Sequence, residues 1–159
     1  METVIQELDP RKCSELVEEI ARMERKIFPK HESLARSLKQ DLKTKNSGLI
    51  YAKAGSEGRG DGEIVGYVMY SWISSLCASI TKLAVKESYR RQGHGEALLK
   101  AGIQKCRRGR VQRVCLHVDP ERFLLFHFTK NLVSKLMILL SLTILLIEML
   151  IECTWIFDC

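Results

Sequence analysis

No two cysteines stand in a CxxC step and no histidine lies at zinc-ligand spacing from one. The six cysteines (13, 77, 106, 115, 153 and 159) therefore offer no metal site. Scattered in this way, they read as reduced thiols in core or surface positions. Residues Met1–Asp9 are acidic and have no apolar core, which excludes a secretory signal. These two absences point to a reducing interior, cytosol or nucleus. Nor does any run of basic residues alternate with aromatics. For a chain of net charge +6 and pI near 9.1, that makes nucleic acid a weaker partner than an anionic cofactor or a membrane surface. The largest basic cluster, Arg107-Arg108-Gly109-Arg110, is short and reads as a solvated helix end.

What is present is one domain's worth of globular sequence: 159 residues, 46% apolar and 28% charged. Val4–Leu8 alternates like a strand. From Arg11 to Phe28, Leu16, Val17, Ile20, Met23 and Ile27 recur at helical spacing, and Pro29 stops the helix. Glu32–Leu42, with Leu34, Leu38 and Leu42 on one face, predicts a second helix. Strands follow at Gly48–Lys53 and Glu63–Trp72, joined by a glycine-rich turn, and then at Ala78–Val85. A helix over Gly95–Arg107 and a strand over Val111–Val118 complete a mixed α/β layer order.

Arg90-Arg91-Gln92-Gly93-His94-Gly95-Glu96 follows a predicted strand and opens a helix. Glycines admit a phosphate close to the backbone, successive N–H groups point inward, and a helix N-terminus favours negative charge. The segment is neither a Walker A loop nor a dinucleotide G-x-G-x-x-G, since Leu98 holds the third position. Taken alone, it fits a phosphate site or a plain strand-to-helix turn.

The longer run Leu83-Ala84-Val85-Lys86-Glu87-Ser88-Tyr89-Arg90-Arg91-Gln92-Gly93-His94-Gly95 resembles the signature of the GNAT superfamily of N-acetyltransferases, a strand ending Leu-x-Val that leads into [RQ]-x-x-G-x-[GA]. The resemblance implies an α/β fold, a mixed sheet flanked by helices, with acetyl-CoA as acetyl donor and no metal. It places Leu83 and Val85 along the pantetheine, and Arg90, Arg91, Gln92, Gly93, His94, Gly95 and Glu96 at the pyrophosphate. The acceptor is then an amine. Ile27-Phe28-Pro29 resembles the aromatic–Pro step lining the peptide site of the Nα-acetyltransferase branch, so Phe28 and Pro29 are candidate substrate contacts for a protein or peptide α-amino group. Leu116-His117-Val118 resembles that branch's fifth strand, which makes His117 the candidate base. Phe28 also fits the core, and His117 a structural position. The Glu that many members carry near the start of the fourth strand falls at or near Ser79, which is no strong base.

The resemblance in element order covers residues 4–120, and we assign an N-acetyltransferase domain, incomplete at its C-terminus, to residues 1–122. Residues 123–159 form an apolar tail without the family's next helix and strands. Asn131–Ile138 can be encoded AAT TTG GTT TCA AAG TTG ATG ATn. Read one base earlier, after a Lys130 codon ending in A, the same bases give K-F-G-F-K-V-D-D, which restores the family's missing G-F turn. Thr143–Phe157 likewise permits Y-Y-S-S-D-R-N-A-Y-R-M-Y-L-D-F. We read the tail as an out-of-frame translation, by alternative splicing or error, and expect an impaired acetyl-CoA-binding form as the alternative to an active enzyme. The competing reading is a membrane anchor over 136–157, against which Glu148 and Glu152 weigh.

Overall fold

The computed structural model describes residues 2–116, apart from 10, 12, 13, 29, 31, 32, 34 and 56–61. The elements run β1 (Glu2–Glu7), α1 (Ser14–Ile27), α2 (Leu38–Asp41), β2 (Ser47–Gly55), β3 (Glu63–Trp72), β4 (Cys77–Val85), a 3-10 turn (Glu87–Tyr89), α3 (His94–Arg108) and β5 (Arg113–Leu116). This is the expected mixed sheet flanked by helices.

The strands lie in chain order, β1-β2-β3-β4-β5. The first four form an antiparallel meander, and β5 joins β4 in parallel. A parallel neighbour cannot be reached by a tight turn, so α3 makes the crossover. Its apolar residues Leu98, Leu99, Ile103 and Cys106 pack on one sheet face, with Val68, Ile80, Leu83 and Val85. Gly66 allows the close approach: a Cβ there would lie 2.9 Å from Leu98 Cδ1 and 2.6 Å from Ala84 O.

The other face is covered by α1 and α2. Val17, Ile20, Ala21 and Met23 of α1 and Leu38 of α2 pack against Leu49, Tyr51, Tyr67, Met69 and Ala84. The helical spacing of Val17, Ile20, Ala21 and Glu24 sets all four on the buried side. Within the described residues, the second predicted helix shrinks to Leu38–Asp41. Ser33 Oγ accepts from the Ala35 amide at 3.3 Å, a local bond that competes with helix.

One irregularity positions the site. Met69 pairs with Lys82 but Tyr70 pairs with Ile80, so Thr81 is an extra residue that bulges β4. Pairing of β4 with β5 runs from Cys77↔Arg113 to Ile80↔Leu116. From Thr81 to Val85, no described strand pairs with that edge of β4.

Candidate active site

The glycine loop leaves β4 through the turn Glu87–Tyr89 and enters α3 at Gly93, its N-cap residue. Two residues turn left-handed, Arg91 at φ 59° and Gly93 at φ 86°. Alternating hand turns successive amides toward one side, forming an anion nest. No side chain caps α3, so the N–H groups of its first turn stay available to a ligand. A Cβ on Gly93 would meet nothing within 4 Å: the loop faces open space. That space is a cavity of about 210 Å³ lined by Val85, Tyr89, Arg90, Arg91, Gly93, Gly95 and Glu96. Arg91 is not glycine, and holding it left-handed costs about 1–2 kcal/mol. Strain of this kind gathers at ligand sites.

The surrounding side chains brace the loop. Arg90 Nε donates to Val85 O at 3.2 Å, and Gln92 Nε2 to Ser88 O at 3.2 Å. His94 is buried, with Nδ1 3.3 Å from Thr3 Oγ1 and its ring edge-on to Tyr89. Glu63 accepts from Lys86 Nζ at 2.6 Å and from Tyr89 OH at 2.9 Å. These two bonds, Lys86 first, hold its carboxyl below the ordinary range, while the bond to Glu63 pushes the Tyr89 phenol up.

On the face carrying α1, charge is buried. Lys82 Nζ lies 2.8 Å from Glu24 Oε1 and 3.0 Å from Oε2, and Tyr67 OH donates to Oε1. The same ammonium stands 3.8 Å from the centroid of the Phe28 ring. Burial, then the Glu24 charge, pushes the Tyr67 phenol well above its ordinary value.

Residues 14–130 match the model of the acetyltransferase (GNAT) family. The chain belongs to the GNAT family. No curated protein sequence matches it. Solved structures share the fold at low identity. Aminoglycoside N-acetyltransferase AAC(6')-Iy, in complex with a CoA bisubstrate analogue, aligns at TM-score 0.67 and 16% identity over 83% of this chain and 90% of its own. A ribosomal-protein-alanine N-acetyltransferase from Escherichia coli aligns at 0.66 and 16%, over 82% and 76%. An aminoglycoside acetyltransferase from an uncultured soil metagenomic sample, in complex with sisomicin, aligns at 0.63 and 19%, over 98% and 97%. GNAT enzymes transfer acetyl from acetyl-CoA to amines, and this chain is one of them by family.

Of the residues expected at a GNAT site, Val85, Arg90, Arg91, Gly93, Gly95 and Glu96 line one cavity. Leu83 and Val85 turn their side chains into the core under α3. The His94 side chain points to β1, and Gln92 folds back on the turn. Phe28 is only 5% exposed and packs in the core beneath α1. Pro29, His117 and the whole tail, including the segment 136–157, lie outside the described residues. Sequence reasoning missed Tyr89, although it stands inside the motif. It also missed Glu24 and Lys82. Among the described residues no His, Cys, Asp or Glu side chains gather as a metal site, and no helix is long and apolar enough to cross a membrane.

Proposed function

We propose that the chain acetylates the α-amino group of a protein or peptide, using acetyl-CoA held by the loop Arg90–Glu96. The observation that carries this is the left-handed pair Arg91 and Gly93 at the uncapped start of α3, facing a cavity at the end of β4. A pyrophosphate placed there receives several N–H donors and the positive end of the helix dipole. Beyond Ile80 no described strand pairs with this edge of β4, and there the main chain of Leu83 and Val85 suits an amide-bearing pantetheine arm.

Acetyl-CoA supplies the thioester acetyl group. The acceptor ammonium must lose a proton before nitrogen can attack, and His117, directly after β5, takes that role in our reading. Charge favours a peptide over an aminoglycoside acceptor. Aminoglycosides are polycations and need an acidic site, whereas this chain carries +6. Glu24, on the α1 face, is already paired with Lys82. We assign the domain to residues 1–122 and the tail to 123–159. The family match runs to residue 130, past that boundary.

A panel of acceptors tests the reading: an alanine-initiated decapeptide, the same peptide with a blocked N-terminus and an internal lysine, and sisomicin. Thiol release and product mass should appear with the free N-terminus. Preferential transfer to sisomicin or to the lysine overturns the acceptor class. Tight acetyl-CoA binding with no product from any acceptor identifies a binding-only form.

A further inference from the structure

Cys77, Cys106 and Cys115 lie among the described residues, all as thiols. Cys106 belongs to α3 and packs into the core on that face of the sheet. Burial pushes its thiol up to about 12, which leaves it unreactive at neutral pH. Cys77 and Cys115 are different. Their Sγ atoms stand 3.6 Å apart, although 38 residues separate them along the chain.

The sheet explains the meeting. Cys77 opens β4, and β5 joins β4 in parallel with Cys77↔Arg113 and Ser79↔Cys115 as rungs. Ala78 and Val114, next to each cysteine in sequence, belong to the core under α3; strand alternation therefore turns both cysteines to the other face. They are diagonal neighbours there, and their side chains lean together. A disulfide holds its sulfurs about 2.05 Å apart, so the two must close by about 1.5 Å, a movement that side-chain rotation largely supplies. Cys77 is also the first residue of its strand, with its amide donating to Ser74 Oγ at 3.1 Å in the preceding turn. Backbone at a strand end can give the remainder.

We propose that Cys77 and Cys115 are an oxidisable pair, converted by a small-molecule disulfide of the glutathione class into an intrachain bond that staples β5 to β4. Exposure sets the order of events. Cys77 is half-buried, whereas Cys115 is only 5% exposed. The Cys77 thiol loses its proton to solvent, and its sulfur attacks one sulfur of the small disulfide. That S–S bond breaks, and one small thiolate departs. Cys115 then gives up its proton, attacks Cys77 Sγ in the mixed disulfide and expels the second small thiolate. The two thiolates take up the two protons released. Two protein thiols are thus oxidised to one disulfide, and one small disulfide is reduced to two thiols. In a reducing compartment the pair rests as thiols and responds when the poise turns oxidising. The bond acts on β5, which four rungs otherwise hold on β4. The glycine loop, beyond the far end of β4, is left as it is.

The test is a redox titration of the folded full chain in mixtures of reduced and oxidised glutathione, followed by acid quenching, alkylation and tryptic mapping without reductant. Cleavage after Arg59, Lys82, Arg113 and Arg122 puts Cys77 in the peptide 60–82 and Cys115 in 114–122. The expected product is these two peptides joined, in most chains at the oxidising end, with Cys106 left free. Excess thiol reverses it. The oxidised chain melts roughly 10 °C above the reduced one, as a crosslink closing a loop of this length should give, and binds acetyl-CoA with unchanged affinity. Cys115→Ser stops at a mixed disulfide on Cys77, and Cys77→Ser leaves Cys115 unmodified. Several outcomes overturn the inference: the two peptides stay unlinked at every ratio, link no more than in the urea-unfolded chain, or join other cysteine peptides instead. A linked form that melts below the reduced one overturns it as well.

Discussion

Lys82 Nζ stands 2.8 Å from Glu24 Oε1, an ion pair that ties α1 to β4 with both side chains buried. Burying two charges is expensive, and a pair so placed holds only while both partners are present. Lys82→Met leaves the Glu24 carboxylate unpaired and should destabilise the fold by about 3–5 kcal/mol. Lys82→Met combined with Glu24→Gln should recover much of that loss. Thermal unfolding of the two single variants and the double variant measures the coupling; additive losses would contradict it.

Gly93→Ala tests the loop through backbone strain, since its Cβ would meet nothing within 4 Å but φ is 86°. We expect a loss of about 1–2 kcal/mol in stability and a weaker acetyl-CoA complex. Arg91→Gly, at φ 59°, should relieve strain while freeing the denatured chain by a similar amount, and leave stability about unchanged. Melting curves with and without acetyl-CoA separate the two effects.

Glu63 links the loop's turn to pH. Its folded pKa lies below the ordinary 4.5 because Lys86 and then Tyr89 bond to it. A depressed carboxylate contributes stability above its unfolded pKa and loses it as pH falls through the folded value. Glu63 is largely exposed, so the contribution is small, roughly 0.5 kcal/mol after solvent screening. Glu63→Gln should therefore lower stability slightly at neutral pH and narrow its gap to the parent below pH 4.5. A constant gap across that range would contradict the assignment.

The tail makes a prediction about nucleic acid sequence. If residues 123–159 arise by a shift of frame, the transcript across Lys130–Ser134 should read K-F-G-F when taken one base earlier, from the last base of the Lys130 codon. Codons that cannot give that string would remove the frame-shift account. An in-frame G-F pair in every clone would show the present tail to be an error.

The limits of sequence reading follow from which signals are local. Strand β3 was legible to the residue because Glu63–Trp72 combines a glycine turn with a dense Val and Tyr run. The loop was legible because Gly93 and Gly95 sit at fixed steps after Arg90. The second helix was overcalled because Leu34, Leu38 and Leu42 keep helical spacing, whereas the Ser33 bond to Ala35 is invisible to periodicity. The Glu24–Lys82 pair spans 58 residues, and nothing local announces it. One hint existed: Glu24 falls on the stripe of Val17, Ile20 and Ala21, where a lone carboxylate demands a buried partner. Phe28 was placed at the acceptor by likeness, while its ring packs into the core under Lys82. A likeness carries a residue's position, not its exposure.

Calorimetric titration of the full chain with acetyl-CoA tests the central claim most directly. The account predicts one saturable site per chain, weakened by Gly93→Ala while the variant stays folded. A folded parent that takes up no acetyl-CoA would contradict it.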